Sequence, residues 1–472
     1  MLKTKRKIIE GPIFIQLLLF SLPIMLTGLL QVAYNMADNI IVGQFSGDPN
    51  ALAAITSTSS LTTLAVNFLM GLATGSGVVV AQAFGADEKQ KVSRTVHTAI
   101  TFAIIIGAAF GALAFGLARV ALEAMGTKRV LIDGAVLYFR IIAIGIPATT
   151  IYNFGAAILR SIGNSKLPLY ILGGSGLLNV ALNLFFVIVC GMSVDGVAIA
   201  TVISQYASAV TVILILVKNK NNAWGLDIKR LGINKALLLR IVRYGAPAGL
   251  QSSLFSITNV IITSAANQLP KVALDAKAIA FNIDGMVYTA MDSYLHSSMT
   301  FVGQNYGAKK YDRIIKSTIY SVIQVAFIGF LLGQILIFFS EPIIGLYLGA
   351  ATEQRELVVS LAQGLMRFIL SIYFLCGIMH TISGALRGLG NSIAPMLISI
   401  IGTVVVRVVW VVFFYPMEQF HTITGLYYCY PITWISSIIA LVITFVISAR
   451  RAKKRINEAV EEQRVAAALA AQ

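Results

Sequence analysis

Twelve apolar runs, each too long for the core helix of a soluble protein, dominate the chain. They lie near 13–44, 51–83, 95–118, 131–158, 168–190 and 195–217, then near 237–268, 275–304, 314–339, 356–385, 395–415 and 423–448. A helix must run about 20 residues to cross a hydrocarbon core. Lipid offers nothing to peptide N–H and C=O groups, so each run must be helical, and the alternation of a barrel strand is missing. Several runs exceed a single crossing and must tilt or project beyond the bilayer. The pattern predicts an all-α integral membrane protein with twelve transmembrane helices. Composition agrees: 57% of residues are hydrophobic and 12% charged, against roughly 25% charged in a soluble domain. Soluble enzymes, disordered chains and disulfide frameworks are excluded.

The formal charge of +16 would point to nucleic acid in a soluble protein. Here its distribution decides otherwise. With the N-terminus inside, 27 of the 36 Lys and Arg fall in inner segments, 6 in outer loops (Lys277 among them) and three, Arg140, Arg367 and Arg407, within spans. That asymmetry places both termini in the cytoplasm of a multi-pass plasma (inner) membrane protein. No nucleic-acid partner is expected, and no cleavable signal peptide is evident. The tail from Arg450 is basic and then Ala- and Glu-rich, and reads as a surface helix or frayed end. Cys190, Cys376 and Cys429 show no metal or redox spacing.

An internal repeat organises the spans. Phe20-Ser21-Leu22-Pro23 returns as Tyr244-Gly245-Ala246-Pro247, 224 residues on, and Asn35 returns as Asn259. Gln82-Ala83-Phe84-Gly85-Ala86 returns as Gln304-Asn305-Tyr306-Gly307-Ala308 after 222. Leu159-Arg160-Ser161-Ile162-Gly163-Asn164-Ser165 returns as Leu386-Arg387-Gly388-Leu389-Gly390-Asn391-Ser392 after 227. The chain therefore reads as an N-terminal six-helix lobe (1–217), a cytoplasmic linker (218–243), a C-terminal six-helix lobe (244–450) and a tail (451–472). Six is even, so the repeats are parallel, a plan that secondary transporters use with a substrate cavity between lobes. No phosphate-binding Gly-rich loop with Lys-Ser/Thr occurs, nor a catalytic metal or nucleophile motif, so no enzyme is expected.

These repeat elements carry a resemblance. The Pro of the first and seventh spans, the Gln-x-x-Gly-Ala ends of the second and eighth, and the Leu-Arg-x-x-Gly-Asn-Ser ends of the fourth and tenth are similar to the multidrug and toxic compound extrusion (MATE) family. The resemblance covers nearly the whole chain. It implies a V-shaped two-lobe antiporter that exports amphiphilic, often cationic organic compounds against inward H⁺ or Na⁺.

An ionisable group inside a span costs about 2.5–3.5 kcal/mol or more and needs a local reason. Gln31, Asn35, Asp38 and Asn39 share one face of the first span. That face must look into the lobe, where a carboxylate can bind Na⁺ or take up a proton, because desolvation disfavours the charge. Asn179 and Asn183 on the fifth span, and Thr201, Ser204 and Gln205 on the sixth, either complete a cation site or form an interhelical polar zipper. The stretch Tyr34-Asn35-Met36-Ala37-Asp38 resembles family members whose coupling Asp lies in the N-terminal lobe. In those members Asn179 and Thr201 have matching positions, while position 183 is often Asp rather than Asn183. Na⁺ is thus a candidate at Asp38, Asn179, Asn183 and Thr201. Another branch of the family carries acids on the seventh and tenth spans, where Phe255 and Cys376 stand here.

The eighth span offers a second-lobe site. Asp284, Tyr288, Asp292 and His296 step by four along one broad face. His296 could pair with Asp292 and titrate near neutral pH, or the two form a neutralised pair lining a wet cleft. Gln31, Tyr34, Asn259, Tyr288 and His380 are candidate substrate-cavity residues. Arg160 and Arg387, beside Gly, are expected to bond the last carbonyls of their helices, and no span arginine is assigned to substrate. The expectation is a secondary active antiporter of small organic solutes, monomeric in the bilayer, with H⁺ or Na⁺ as coupling ion and no other cofactor. The alternatives are a lipid-linked saccharide or lipid-precursor flippase and an exporter of one endogenous metabolite.

Overall fold

The computed structural model of the chain describes residues 7–48, 50–348 and 354–470. Twelve membrane helices follow one another: α1 (Ile13–Phe45), α2 (Ala51–Gly85), α3 (Lys89–Ala124), α4 (Arg129–Ser161), α5 (Lys166–Val189) and α6 (Val194–Lys218). The second set is α7 (Lys235–Ala266), α8 (Lys271–Gly307), α9 (Tyr311–Phe338), α10 (Arg355–Gly388), α11 (Ile393–Phe414) and α12 (Cys429–Ala470). No strand occurs among the described residues. Ten of these segments are long and apolar enough to cross a membrane by themselves. The other two, α7 and α8, run 32 and 37 residues, and α8 carries the acids and imidazole singled out above.

The duplication is written into the backbone. Asp87 and Lys309, one residue beyond the repeated Gly-Ala ends of α2 and α8, both adopt left-handed φ, at 59° and 58°. Gly163 and Gly390, after α4 and α10, do so at 91° and 85°, where a side chain would be strained. The fifth helix of each set carries π-helical turns: Phe185–Val189 in α5, and Ile400–Val405 and Trp410–Phe414 in α11. Such turns insert a residue into the ladder and commonly mark functional positions.

Backbone packing divides the chain into two compact units. Leu26–Ser256 makes the bulk of one, and Arg6–Met25 with Ile257–Gln472 makes the other. The divisions fall inside α1, just after Pro23, and inside α7, rather than in the 218–243 stretch. In the first unit the early part of α7 presses on α2. A Cβ on Gly71 would lie 2.1 Å from the Gly249 nitrogen, and one on Gly75 would lie 2.2 Å from the Ile241 oxygen. Small residues permit this approach, which supplies the dispersion that lipid-exposed helices need to associate. In the second unit α8 and α10 meet as closely: a Cβ on Gly384 would lie 2.3 Å from the Leu295 oxygen.

One expectation is narrowed and one changes. Of the two readings of the tail the structure has the helix: α12 runs on to Ala470, with Ile456 buried against Val302, Ile314 and Ala385 and Lys309 Nζ donating to the Ala459 carbonyl at 3.2 Å. Apolar residues spaced along the basic stretch give the helix a dry face. Lys277, counted among outer-loop residues, lies within α8 and is buried, its ammonium donating to Thr263 Oγ1 at 3.1 Å.

Candidate functional site

In the first unit the second half of α1 lies beside α5. The Tyr34 ring sits so close to Gly176 that a Cβ there would fall 1.9 Å from ring carbons, and the Tyr34 hydroxyl donates to the Gly173 carbonyl at 3.2 Å. This contact sets the rotation of α1, and one turn later Asp38 faces α5. The Asn183 amide donates to Asp38 Oδ1 and also points at Asn179 Oδ1, 3.4 Å away. The Asn179 amide donates in turn to Thr201 Oγ1 of α6 at 3.3 Å. Asp38, Asn183, Asn179 and Thr201 thus form one chain across three helices.

Asn183 is fully buried, and its Oδ1 has no hydrogen-bond partner among the described residues. The hydroxyl of Tyr138 on α4 lies within the electrostatic reach of the carboxylate. Among the described residues Asp38 has no ion-pair partner. The group is one negative charge in a cluster of neutral oxygens, which suits a hard cation or a proton.

Three neighbours expected on this face stand apart. Gln31, Asn35 and Asn39 are exposed on α1 and do not join the chain. Ser204 bonds its own helix, donating to the Ala200 carbonyl at 2.8 Å. The side-chain oxygen of Gln205 is buried against Gly145 without a partner among the described residues.

The second unit arranges its acid differently. Because α8 and α10 cross at glycines, Asp292 of α8 meets His380 of α10, with Nδ1 to Oδ1 at 3.1 Å. His296, one turn along α8, approaches the other oxygen at 3.8 Å. Tyr288 stands edge-on to the His380 ring at 5.4 Å between centroids, and the charge of buried Arg387 reaches Asp292. The sequence pairs Asp292 with His296; the shorter contact is to His380, a residue grouped with the cavity instead. Arg387, expected to bond the last carbonyls of its helix, also faces this carboxylate. Asn259 is exposed on α7.

Asp284, two turns before Asp292, belongs to another cluster. It is buried against the Tyr373 hydroxyl, where α10 is interrupted, and within reach of the Arg407 charge. Arg407 is itself only 5% exposed and lies over the Tyr430 ring, 3.9 Å from its centroid. Span position and composition give this arginine no role; its place between two π-helical turns is visible only in the folded chain. No group of three or more His, Cys, Asp or Glu with metal-site geometry occurs among the described residues.

Comparison with known proteins places the chain in a family. The MatE family model matches residues 23–185 and 247–413, one match in each half. The probable multidrug resistance protein YoeA of Bacillus subtilis is 29% identical over 438 residues, covering 90% of this chain and 91% of that one. The probable multidrug resistance protein NorM of Thermotoga maritima is 26% identical over 405 residues, 82% of each chain. Among solved structures, a MATE protein in the bent conformation superposes with a TM-score of 0.84 at 19% identity, over 97% of this chain and 99% of that chain. An outward-facing multidrug resistance MATE family transporter of the MOP superfamily gives 0.83 at 19% identity, over 97% and 99%.

Proposed function

The chain belongs to the MatE family of membrane transporters, and on that premise we propose that it is a secondary active antiporter exporting amphiphilic or cationic organic compounds in exchange for inward H⁺ or Na⁺. The multidrug resistance names of its relatives support the substrate range. The observation that carries the coupling role is the unneutralised Asp38, tied to α5 and α6 through Asn183, Asn179 and Thr201. A half-buried carboxylate within a span and without a counter-charge is costly until a cation arrives. Occupancy by H⁺ or Na⁺ removes that cost, and the unpartnered Asn183 oxygen supplies a further ligand. Each state draws α5 toward α1 to a different degree, so ion binding biases the conformation that holds the solute. Alternating access then follows, with α1 bending near Pro23.

The distribution of basic residues supports a plasma-membrane protein with both termini in the cytoplasm, and one chain suffices for transport. The test of coupling is flux in proteoliposomes of the full chain under separately imposed H⁺ and Na⁺ gradients. The native chain moves an organic cation against its gradient with one of them. Full gradient-driven flux in Asp38→Asn overturns the coupling role.

Asp292 supports a second reading of the same exchange. The His380–Asp292–His296 contact, with Arg387 beside it, gives the second unit a group that can take up a proton independently. If it does, His380→Gln lowers H⁺-driven flux and leaves Na⁺-driven flux intact; equal loss of both shows a structural role.

A further inference from the structure

The coupling reading leaves Arg407 unused, although burying it is among the costlier acts of this fold. Arg407 occupies a single α-helical turn, Val406–Val409, flanked in α11 by the π-helical turns Ile400–Val405 and Trp410–Phe414. Its guanidinium carries five N–H donors and cannot lose its proton. Tyr430 covers one face, but Nε has no acceptor among the described residues. Across from it, buried Asp284 leaves Oδ1 unbonded while Tyr373 lies against the carboxylate. The hydroxyls of Thr403, one turn earlier in α11, and Ser437 of α12 are also buried without partners among the described residues. Buried polar atoms are nearly always satisfied, so a group of orphans on three helices marks a place where something polar is held.

A cavity lies further along the same helix. It measures about 310 Å³ and opens between the C-terminal ends of α7 and α11, lined by Ser264, Gln268, Val411, Tyr415 and His421 among others. Val411 and Tyr415 follow Arg407 at one and two turns, and the buried Tyr415 hydroxyl is a further orphan. The volume is at the lower end for small-molecule sites. The cavity wall is itself aromatic on one side, where the Tyr415 and His421 rings lie 4.9 Å apart between centroids. Flat rings pack well on such surfaces.

We propose that the second unit holds a binding subsite for a carboxylate carried on an aromatic body, with Arg407 as its anion clamp and the α7–α11 cavity as its approach. A carboxylate accepts two parallel N–H bonds from one guanidinium, which a neutral group of the same shape cannot do. Asp284 then selects for solutes that carry a donor as well, such as an amine or hydroxyl on the same ring. The subsite refines the exporter's substrate class and rests on that reading for its purpose. Its test needs no ion gradient, so failure of coupling at Asp38 and failure here are separate results.

The experiment is titration calorimetry of the full chain in lipid nanodiscs with 2-naphthoate, 2-naphthamide and farnesyl phosphate. Naphthoate is expected to bind about tenfold more tightly than the amide. That preference is expected to vanish in Arg407→Gln and to shrink several-fold in Arg407→Lys, which keeps the charge but loses the planar fork. Equal affinity for acid and amide in the native chain overturns the proposal, as does an unchanged preference in either variant. Should Arg407→Gln fail to fold, the lysine variant carries the test. Binding of farnesyl phosphate with none of naphthoate overturns the aromatic-carboxylate class.

Discussion

Asp38 and Asp292 are carboxylates within spans in the two halves of a duplicated chain, yet their surroundings differ in charge. Asp38 meets amides and a hydroxyl chain, with no cation among the described residues. Asp292 lies between two imidazoles and within the field of Arg387. A neutral polar shell leaves a charge to be balanced from outside, which is what ion coupling requires. A shell that includes the permanent charge of Arg387 balances it from within, so the same residue type can serve the protein by staying ionised. Duplication supplied two copies of the scaffold; the acids stand on helices that are not repeat mates, α1 and α8, and meet different partners on α5 and α10.

The contrast is most exposed to test at Asp38. Asp38→Asn is expected to reduce gradient-driven efflux by roughly a hundredfold, about 2.7 kcal/mol of coupling, while the protein keeps its thermal stability in detergent. A large fall in melting temperature would show that Asp38 holds the helices together. Asp292→Asn should do the reverse. It leaves His380 and Arg387 facing a neutral amide, and removal of one partner of a buried pair costs at most about 3–5 kcal/mol. Asp292 is 28% exposed, so the cost falls toward the lower end. A clear drop in melting temperature is expected, partly restored in Asp292→Glu; an unchanged melting curve removes the ion-pair account.

Asn183→Asp makes the first unit's site still more anionic. A second carboxylate raises the ligand charge of the site and with it the affinity for a hard cation, so Na⁺-driven flux at low Na⁺ should rise several-fold over native. No gain would place Asn183 outside the ion's coordination. The smallest effect belongs to Asn35, exposed on α1 and outside the hydrogen-bonded chain. Asn35→Ala should change flux and stability by less than about 0.5 kcal/mol, and a larger loss in transport assays would return it to the site.

Much of this is legible before folding. Asn179, Asn183 and Thr201 are expected beside Asp38 because each lies inside a span where a polar side chain needs company, and the structure joins all four. Asn35 shares the spacing but not the contact: the Tyr34 ring against Gly176 sets the rotation of α1, and a helical wheel does not contain that rotation. His380 and His296 show the same limit. An i,i+4 pairing on one helix is visible in the chain, whereas the closer partner comes from 88 residues away, across the close approach at Gly384. Charge counting misplaces Lys277 because it assigns residues near a span end to the loop, and burial beside Thr263 depends on the neighbouring helix. For the tail, composition describes the polar face and misses the docked edge at Ile456.

Membrane class, twelve helices and a twofold repeat are properties of the linear chain. Bilayer thickness and the lack of backbone partners in lipid act on each segment alone, and those constraints are readable residue by residue. Which charges within the spans are compensated is a property of the packed helices. Asp38 is met by α5, Asp292 by α10, and Asp284 by Arg407, each across a gap in sequence of 88 residues or more. Electrostatic energy at low dielectric depends on distances of a few ångströms between helices, and the rotation and crossing of those helices are set by where glycines let the backbones touch.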